Sequence, residues 1–160
     1  MRTAIAITLL LAAPVAAVAQ TESSPTCSMD MIAGPAAVQW RPVPPTILAK
    51  GAQIAVLCGK LLEKDLFVLR LKLPVGYQIA AHHHPGEEYV TVLSGNFHAG
   101  MGDKLDKNKT MLLRTGGFIR MDAGVNHYAW ASSETVVQVH GIGPFTTEYA
   151  NPADDPSKPH

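Results

Sequence analysis

The sequence lacks an excess of charge of either sign. Its 160 residues include 13 Lys and Arg against 13 Asp and Glu, and the sequence pI is near 7.1. A nucleic-acid-binding domain normally carries a basic surface, so this balance argues against a nucleic-acid partner and favours a small molecule. The length fits one domain with its own hydrophobic core.

The sequence also lacks an apolar run long enough to cross a membrane. The N-terminal apolar segment, residues 4–19, contains Pro14 and is shorter than the ~20 residues of a transmembrane helix. Arg2 precedes this segment, and residues 17–19 (Ala-Val-Ala) form the small-x-small pattern at which signal peptidase cleaves. We therefore interpret residues 1–19 as a secretory signal peptide rather than a membrane anchor. The expected location is the periplasm or the extracellular space, with no membrane attachment after cleavage.

Cysteine is scarce. The two cysteines, Cys27 and Cys58, lack the close spacing of a metal-binding pair, so any metal ligands must be histidines or carboxylates. In an oxidising compartment the two could form a disulfide that ties the N-terminal arm to the first long strand. The alternative is two separate thiols, with Cys58 buried in its strand. The sequence leaves both alternatives open.

Apolar stripes of helical period are hard to find, whereas 12 prolines and 13 glycines punctuate the chain. Residues 67–73 carry Phe or Leu at every second position, which is the period of a strand with one buried face. About ten short segments of this kind predict an all-β sandwich or barrel of antiparallel strands. The expected organisation is a Pro-rich arm at residues 20–50, a β-domain at 51–149 and a polar tail at 150–160.

Histidines cluster in one stretch of the chain. His82, His83 and His84 are consecutive, and Glu88 follows after a Pro-Gly turn. Because side chains alternate along a strand, His82 and His84 project to one face and His83 to the other. Glu88 begins an apolar strand and can present its carboxylate to these two imidazoles. His127, which opens a later strand, is the best candidate for a fourth ligand.

Three imidazoles and one carboxylate form a nitrogen and oxygen ligand set. Such a set suits one divalent transition metal ion per chain, with Mn, Fe, Co, Ni, Cu and Zn as candidates. Glu87 is a competing carboxylate. The alternative explanation is a surface cluster of histidines with no ligand role.

These positions resemble a known family signature. The first motif of the cupin superfamily is a glycine, five residues, His-x-His, three residues, a glutamate, six residues and a glycine. All five defined positions are present here: Gly76, His82, His84, Glu88 and Gly95. The spacing selects Glu88 over Glu87. The resemblance implies a cupin-type jelly-roll β-barrel in which these three polar side chains bind the metal.

The second motif of the superfamily is met in part. Gly116, Gly124 and His127 stand at the expected spacing. Asp122 stands where the family usually has proline, and Ala131 where it often has asparagine. The departures lie at turn and edge positions, so the resemblance still implies that His127 is the fourth ligand. The superfamily catalyses many reactions, and membership alone does not specify a substrate.

Strand alternation also predicts the walls of the pocket. Counting from Glu88 and His127 gives inward-facing residues, and one further residue shares the face of His82. The predicted pocket residues are Val90, Val92, Ala129 and Gln78. By the same alternation, a group of large apolar side chains should face outward and could form a homodimer interface. These residues are Tyr89, Leu93, Tyr128 and Trp130.

Polar groups near the metal are harder to place. In residues 135–142, either Gln138 and His140 or the valines between them face inward, and His98 is a further candidate. His98, Gln138 and His140 are therefore the candidate acid–base residues.

A mostly apolar pocket favours metal-centred oxidation over reactions that need a positioned acid or base. The first hypothesis is a small-molecule oxidoreductase of dioxygenase type. The second is a non-catalytic protein that binds metal or a small ligand. The third is a metal-dependent lyase or decarboxylase, which a position of His98 or His140 within hydrogen-bonding distance of the metal would favour. We also expect a homodimer.

Overall fold

The structure is a computed structural model that describes Cys27 and residues 34–158. The predicted signal peptide at residues 1–19 lies outside the described residues. Over the described range, no helix has the length and apolar character needed to span a bilayer.

The described residues form eleven strands and three short 3-10 helices. The strands are β1 (Arg41–Pro42), β2 (Gln53–Cys58), β3 (Leu66–Leu73), β4 (Gln78–His83), β5 (Glu88–Ser94), β6 (Asn96–Met101), β7 (Met111–Arg114), β8 (Phe118–Met121), β9 (His127–Ala131), β10 (Thr135–Ile142) and β11 (Glu148–Tyr149). The 3-10 helices are Pro35–Ala37, Lys107–Lys109 and Pro152–Asp154.

The strands form two antiparallel sheets. One has six strands in the order β1-β2-β3-β10-β5-β8, and the other has five in the order β11-β4-β9-β6-β7. From β3 onward the chain crosses repeatedly from one sheet to the other, which is the connectivity of a double-sheet jelly roll. The predicted all-β fold of about ten short antiparallel strands is confirmed.

The core lies between the two sheets. Phe67, Leu69 and Leu73 on β3 are 0% exposed, as the two-residue period of this segment predicts. β10 pairs with β3 along its whole length and adds Val137 and Val139 to the same buried layer. Burial of each such side chain stabilises the fold by roughly 2 kcal/mol.

The structure describes the predicted N-terminal arm at Cys27 and from residue 34 onward. β1 pairs with β2 at the edge of the six-stranded sheet, where the missing N–H of Pro42 can be tolerated. Val43 and Leu48 are buried in the core. Residues 41–50 therefore pack with the β-domain, and the domain boundaries themselves stay a prediction.

Cys27 and Cys58 form a disulfide with their Cα atoms 4.8 Å apart. Of the two alternatives that the sequence leaves open, the structure has the bridge. It attaches residue 27 to the last residue of β2.

Candidate metal centre

The ends of three strands bring four polar side chains together between the sheets. His82 and His84 lie at the end of β4 and just beyond it, Glu88 begins β5, and His127 begins β9. β4 and β9 are paired, with His82 directly opposite His127, whereas β5 belongs to the other sheet. All four side chains are buried, with exposures between 4% and 7%. The structure thus brings the four predicted ligands to one place.

Backbone carbonyls fix the protonation of the three imidazoles. Each ring contacts a carbonyl oxygen through Nδ1, and a carbonyl can only accept a hydrogen bond, so Nδ1 carries the proton. The acceptors for His82, His84 and His127 are, in that order, the carbonyls of Ala80, Thr146 and Val125, at 2.7, 2.7 and 2.9 Å. In a neutral ring of this tautomer, Nε2 presents a free lone pair, the form that binds a metal ion.

The three imidazoles converge. Their ligand nitrogens all lie within 4.8 Å of one another. His127 Nε2 is fully buried and has no hydrogen-bond partner among the described residues. A buried polar atom without a partner costs about 1–3 kcal/mol, and a cation at this point would remove that cost. The orphaned nitrogen is a direct indication that these residues fit a metal ion.

Glu88 completes the cluster. Its Oε2 lies 3.3 Å from His127 Nε2 and 3.7 Å from His84 Nε2. Burial raises the pKa of Glu88, but the adjacent imidazoles, His127 foremost, outweigh burial and hold that pKa below its ordinary value. The carboxylate is therefore ionised. With the imidazole protons on Nδ1, a cation between the Nε2 atoms and Oε2 would satisfy all of these groups.

His82 and His84 are neutral at physiological pH. Burial, reinforced by His127 and His84, lowers the pKa of His82 to about 3. Burial is also the largest cause of the lowered pKa of His84. This set of three imidazoles and one carboxylate supports a divalent metal ion and suits Mn, Fe, Co, Ni, Cu or Zn alike.

Two neighbours of the ligands point away from this cluster. His83 Nδ1 contacts Asn126 Oδ1 at 2.9 Å, and His83 Nε2 lies 3.4 Å from Glu148. Glu87 is exposed and forms an ion pair with Arg120 at 2.5 Å. The sequence predicts neither residue as a ligand, and in the structure both residues have other partners.

A small apolar cavity of about 40 Å³ adjoins the four ligands. Val90 and Ala129, two of the predicted pocket residues, line it. Val92 is 1% exposed but belongs to the core rather than the cavity wall. The remaining walls come from both sheets, from the segment before β2 and from the segment after β10: Ile47, Leu48, Leu71, Ile79, Phe97, Ala99, Gly100, Ile119, Met121, Tyr128, Val137, Val139, Phe145 and Thr147.

The prediction that Gln78 lines the pocket is corrected. Gln78 is exposed and Ile79 takes the inward position. The cause is a bulge in β4, since the register between β4 and β9 shifts between Ile79 and His82. A bulge adds one residue to a strand and reverses the alternation beyond it.

The three candidate acid–base residues lie outside the cavity. His98 stacks on Trp130 and contacts Ser132 Oγ at 3.0 Å. Gln138 accepts a hydrogen bond from Arg70. His140 stacks on a tyrosine of β5 on the outer face of the six-stranded sheet. In β10 the valines face inward instead, so none of the three lies beside the four candidate ligands.

The predicted outward interface is also corrected at one position. Tyr128 is 2% exposed because its ring lies directly against Gly100 and beside the loop that follows β6. Trp130 is half-buried under the Lys107 ammonium, which lies 4.8 Å from its ring. The predicted homodimer stays a prediction, with Tyr128 excluded from its interface.

Sequence reasoning missed the wall residues that come from outside the main strands. Ile47 and Leu48 enter the cavity from the connection between β1 and β2. Phe145 stacks on the His84 ring at 4.2 Å, and Thr147 follows it. The one available signal was a pair of aliphatic residues directly after the Pro-rich stretch, which is weak.

Fold and site together define a class: an all-β jelly roll with a buried cluster of imidazoles and a carboxylate that fits a metal ion. The family model described as a cupin domain matches residues 69–142, which include all four candidate ligands. Residues 69–142 therefore form a cupin domain, and the residues that the structure describes contain one domain of this fold. A comparison with curated proteins found no match.

Several solved structures share this fold. A protein of Methylibium petroleiphilum PM1 assigned as an acetylacetone dioxygenase has a TM-score of 0.61 at 17% identity, covering 81% of this chain and 86% of that one. An RmlC-like cupin from Shewanella frigidimarina NCIMB 400 has a TM-score of 0.53 at 13% identity, covering 69% and 89%. A salicylate 1,2-dioxygenase variant from Pseudoaminobacter salicylatoxidans in complex with gentisate has a TM-score of 0.51 at 17% identity, covering 62% and 27%. These likenesses concern the fold.

Proposed function

We propose that this protein is an exported, metal-dependent oxidoreductase of dioxygenase type. One divalent transition metal ion per chain would be held by His82, His84, Glu88 and His127. The observation that carries the proposal is the shared tautomer of the three imidazoles, which leaves every Nε2 lone pair available beside an ionised carboxylate.

The bound ion would supply Lewis-acid and redox chemistry, with O₂ as the oxidant and the organic substrate as the reductant. The protein's own contribution is positioning. The carbonyl contacts at Nδ1 hold the rings in orientation, and the Glu88 carboxylate offsets one positive charge of the ion. The apolar walls, Val90 and Ala129 among them, exclude water and select an apolar substrate.

The character of the walls favours oxidation over proton-transfer chemistry. A lyase or decarboxylase normally needs an acid or base within hydrogen-bond reach of the substrate. His98 and His140 lie on outer surfaces. Apart from the ligands, the lining of the cavity offers one side-chain hydroxyl on Thr147 and one on Tyr128. Two of the similar folds carry dioxygenase names, with acetylacetone and salicylate as the named substrates, which supports small diketones and phenols as the first substrates to test.

Two measurements test this function. The metal content of the protein from its host's exported fraction should approach one ion per chain. Glu88→Ala should lose more than about tenfold in metal affinity, while Glu87→Ala, the matched change at the adjacent carboxylate, should not. Equal metal retention in Glu88→Ala contradicts the site. O₂ uptake by metal-loaded protein across a panel of diketones and phenols tests the reaction, and no uptake with metal bound contradicts it.

Export is part of the proposal. The sequence pattern at residues 1–19 supports it, and so does the Cys27–Cys58 disulfide, since structural disulfides persist mainly in oxidising compartments. N-terminal sequencing of the protein from the host should read from Gln20. A chain that begins at Met1 or Arg2 contradicts export with cleavage.

One observation favours a second function, non-catalytic metal binding. The cavity of about 40 Å³ has room for about three water molecules and for no organic substrate in this conformation. A storage or structural site would close the metal with protein ligands, whereas a catalytic site keeps an exchangeable position. Azide binding to the cobalt-loaded protein, followed by its visible spectrum, distinguishes the two, because only the catalytic arrangement changes colour.

A further inference from the structure

The cavity beside the ligands is smaller than any organic substrate. An apolar protein cavity of about 150 Å³ can hold benzene, whereas the space here is about 40 Å³. Most of its wall is built from hydrogen-bonded strands. Enlargement must therefore come from a wall element that is not part of a sheet.

The connection between β1 and β2, residues 44–51, is such an element, and we call it the lid. Its base is closed by a hydrogen bond from Val43 N to Ala52 O at 3.1 Å. Within the lid, Ile47 N and Leu48 N both donate to Pro44 O, at 2.9 and 3.2 Å. These bonds form a turn within the lid itself.

Few polar contacts hold the lid in place. In the part of the chain that the structure describes, two hydrogen bonds join the lid to elements outside its own hairpin. Tyr77 donates its hydroxyl to Ala49 O at 2.5 Å, and Tyr149 donates its hydroxyl to Ile47 O at 3.3 Å. Burial raises the pKa of both tyrosines to about 12, so both keep the proton they donate.

Two side chains of the lid nevertheless line the cavity. Ile47 and Leu48 line the same space as the metal ligands, and Leu48 is 5% exposed. We propose that Ile47 and Leu48 are the residues that limit substrate size, and that the hydroxyls of Tyr77 and Tyr149 are the latch that the lid releases to admit a substrate. The substrate class is then a compact apolar molecule, about the size of a single ring or a short diketone, that replaces these two side chains.

Binding to metal-free protein tests the size limit without reference to any reaction. Benzene is the probe, measured by NMR titration. Leu48→Ala should bind benzene at least about tenfold more tightly than the natural chain, the usual gain when an apolar pocket matches its ligand better. Val43→Ala is the matched control, because Val43 is equally buried at the base of the lid but does not line the cavity. An equal affinity in Leu48→Ala and the natural chain, or an equal gain in Val43→Ala, overturns the proposal. Leu48→Val serves the same comparison if Leu48→Ala does not fold.

Hydrogen exchange tests the latch. In the closed lid the amide of Leu48 donates to Pro44 O, and burial of Leu48 in the core screens it from water. Opening of the lid removes this screening and allows the amide to exchange. Tyr77→Phe and Tyr149→Phe should each accelerate its exchange roughly fivefold, the effect expected when one hydrogen bond is lost. Tyr89→Phe, on the outer face of the six-stranded sheet, should leave the rate unchanged. Exchange at the natural rate in both lid variants overturns the role of the latch.

The assignment of substrate size rests on the proposed function, but the lid itself does not. If Leu48→Ala gains benzene affinity and no metal-loaded protein consumes O₂, the proposed role of the lid is supported and the proposed dioxygenase activity is refuted. If O₂ uptake is observed and Leu48→Ala accepts no bulkier diketone than the natural chain, the function stands and the size limit is refuted.

Discussion

Acidification should destabilise the metal-free protein well before its carboxylates titrate. The pKa of His82 is lowered from 6.5 to about 3, because burial and two neighbouring imidazoles disfavour its charged form. Between these two values the unfolded chain carries a proton at this residue and the folded chain does not. The unfolded state therefore binds more protons, and the free energy of unfolding falls as the pH is lowered.

The size of this loss in stability follows from the pKa shift of His82. One such imidazole lowers the free energy of unfolding by about 2 kcal/mol between about pH 7 and about pH 5. His84, whose pKa is also lowered by burial, adds a contribution of the same sign. Glu88 affects the free energy of unfolding at a lower pH. Its folded pKa lies below 4.5, so its contribution is present above 4.5 and is lost as the pH falls through the folded value.

Urea unfolding of metal-free protein at these two pH values measures the effect. His82→Gln, which does not titrate, should remove about 2 kcal/mol of the pH dependence. His83→Gln is the control, because His83 is more exposed and has surface partners. If the natural chain and His82→Gln lose the same stability on acidification, the inference of a buried, neutral ligand cluster is wrong.

Three further predictions concern the site and its support. Metal titration should show that His127→Ala loses more than about tenfold in metal affinity, while His83→Ala keeps its affinity. A comparable loss in His83→Ala would mean that the ligands are assigned wrongly. Cys58→Ser should lower the free energy of unfolding by about 4 kcal/mol, since the disulfide closes a loop with a sequence separation of 31. Unchanged stability under oxidising conditions would mean that the bridge is absent in solution. Gly95→Ala should destabilise the fold by more than about 1 kcal/mol, because Gly95 has a φ of +83° and a Cβ there would lie 2.3 Å from Glu134 O; thermal unfolding measures this loss, and a neutral effect would contradict the described turn.

Local sequence signals were sufficient wherever the structure keeps a simple strand. The alternation of Phe67, Leu69 and Leu73 gives the buried face of β3 directly. The motif spacing likewise identifies His82, His84 and Glu88, because short turns fix the relation between neighbouring strand ends. For these features the relevant contacts are close in the chain.

The remaining features depend on contacts between distant segments. Gln78 is exposed because β4 acquires a bulge against β9, and nothing within β4 encodes that partner. Tyr128 is buried because its ring packs against Gly100 on β6, a neighbouring strand that is distant in the sequence. Leu48 enters the cavity from the connection between β1 and β2 and meets residues of distant strands there. A pattern read along one strand carries no information about any of these three arrangements.

The groups that orient the imidazoles are main-chain atoms, the carbonyl oxygens of Ala80, Val125 and Thr146. A substitution at any of these positions changes a side chain and keeps the acceptor. The orientation of the ligands is therefore robust to mutation in their immediate surroundings. The walls, at Val90 and Ala129 for example, can change without disturbing it. In this architecture the capacity to bind a metal and the choice of substrate can diverge independently.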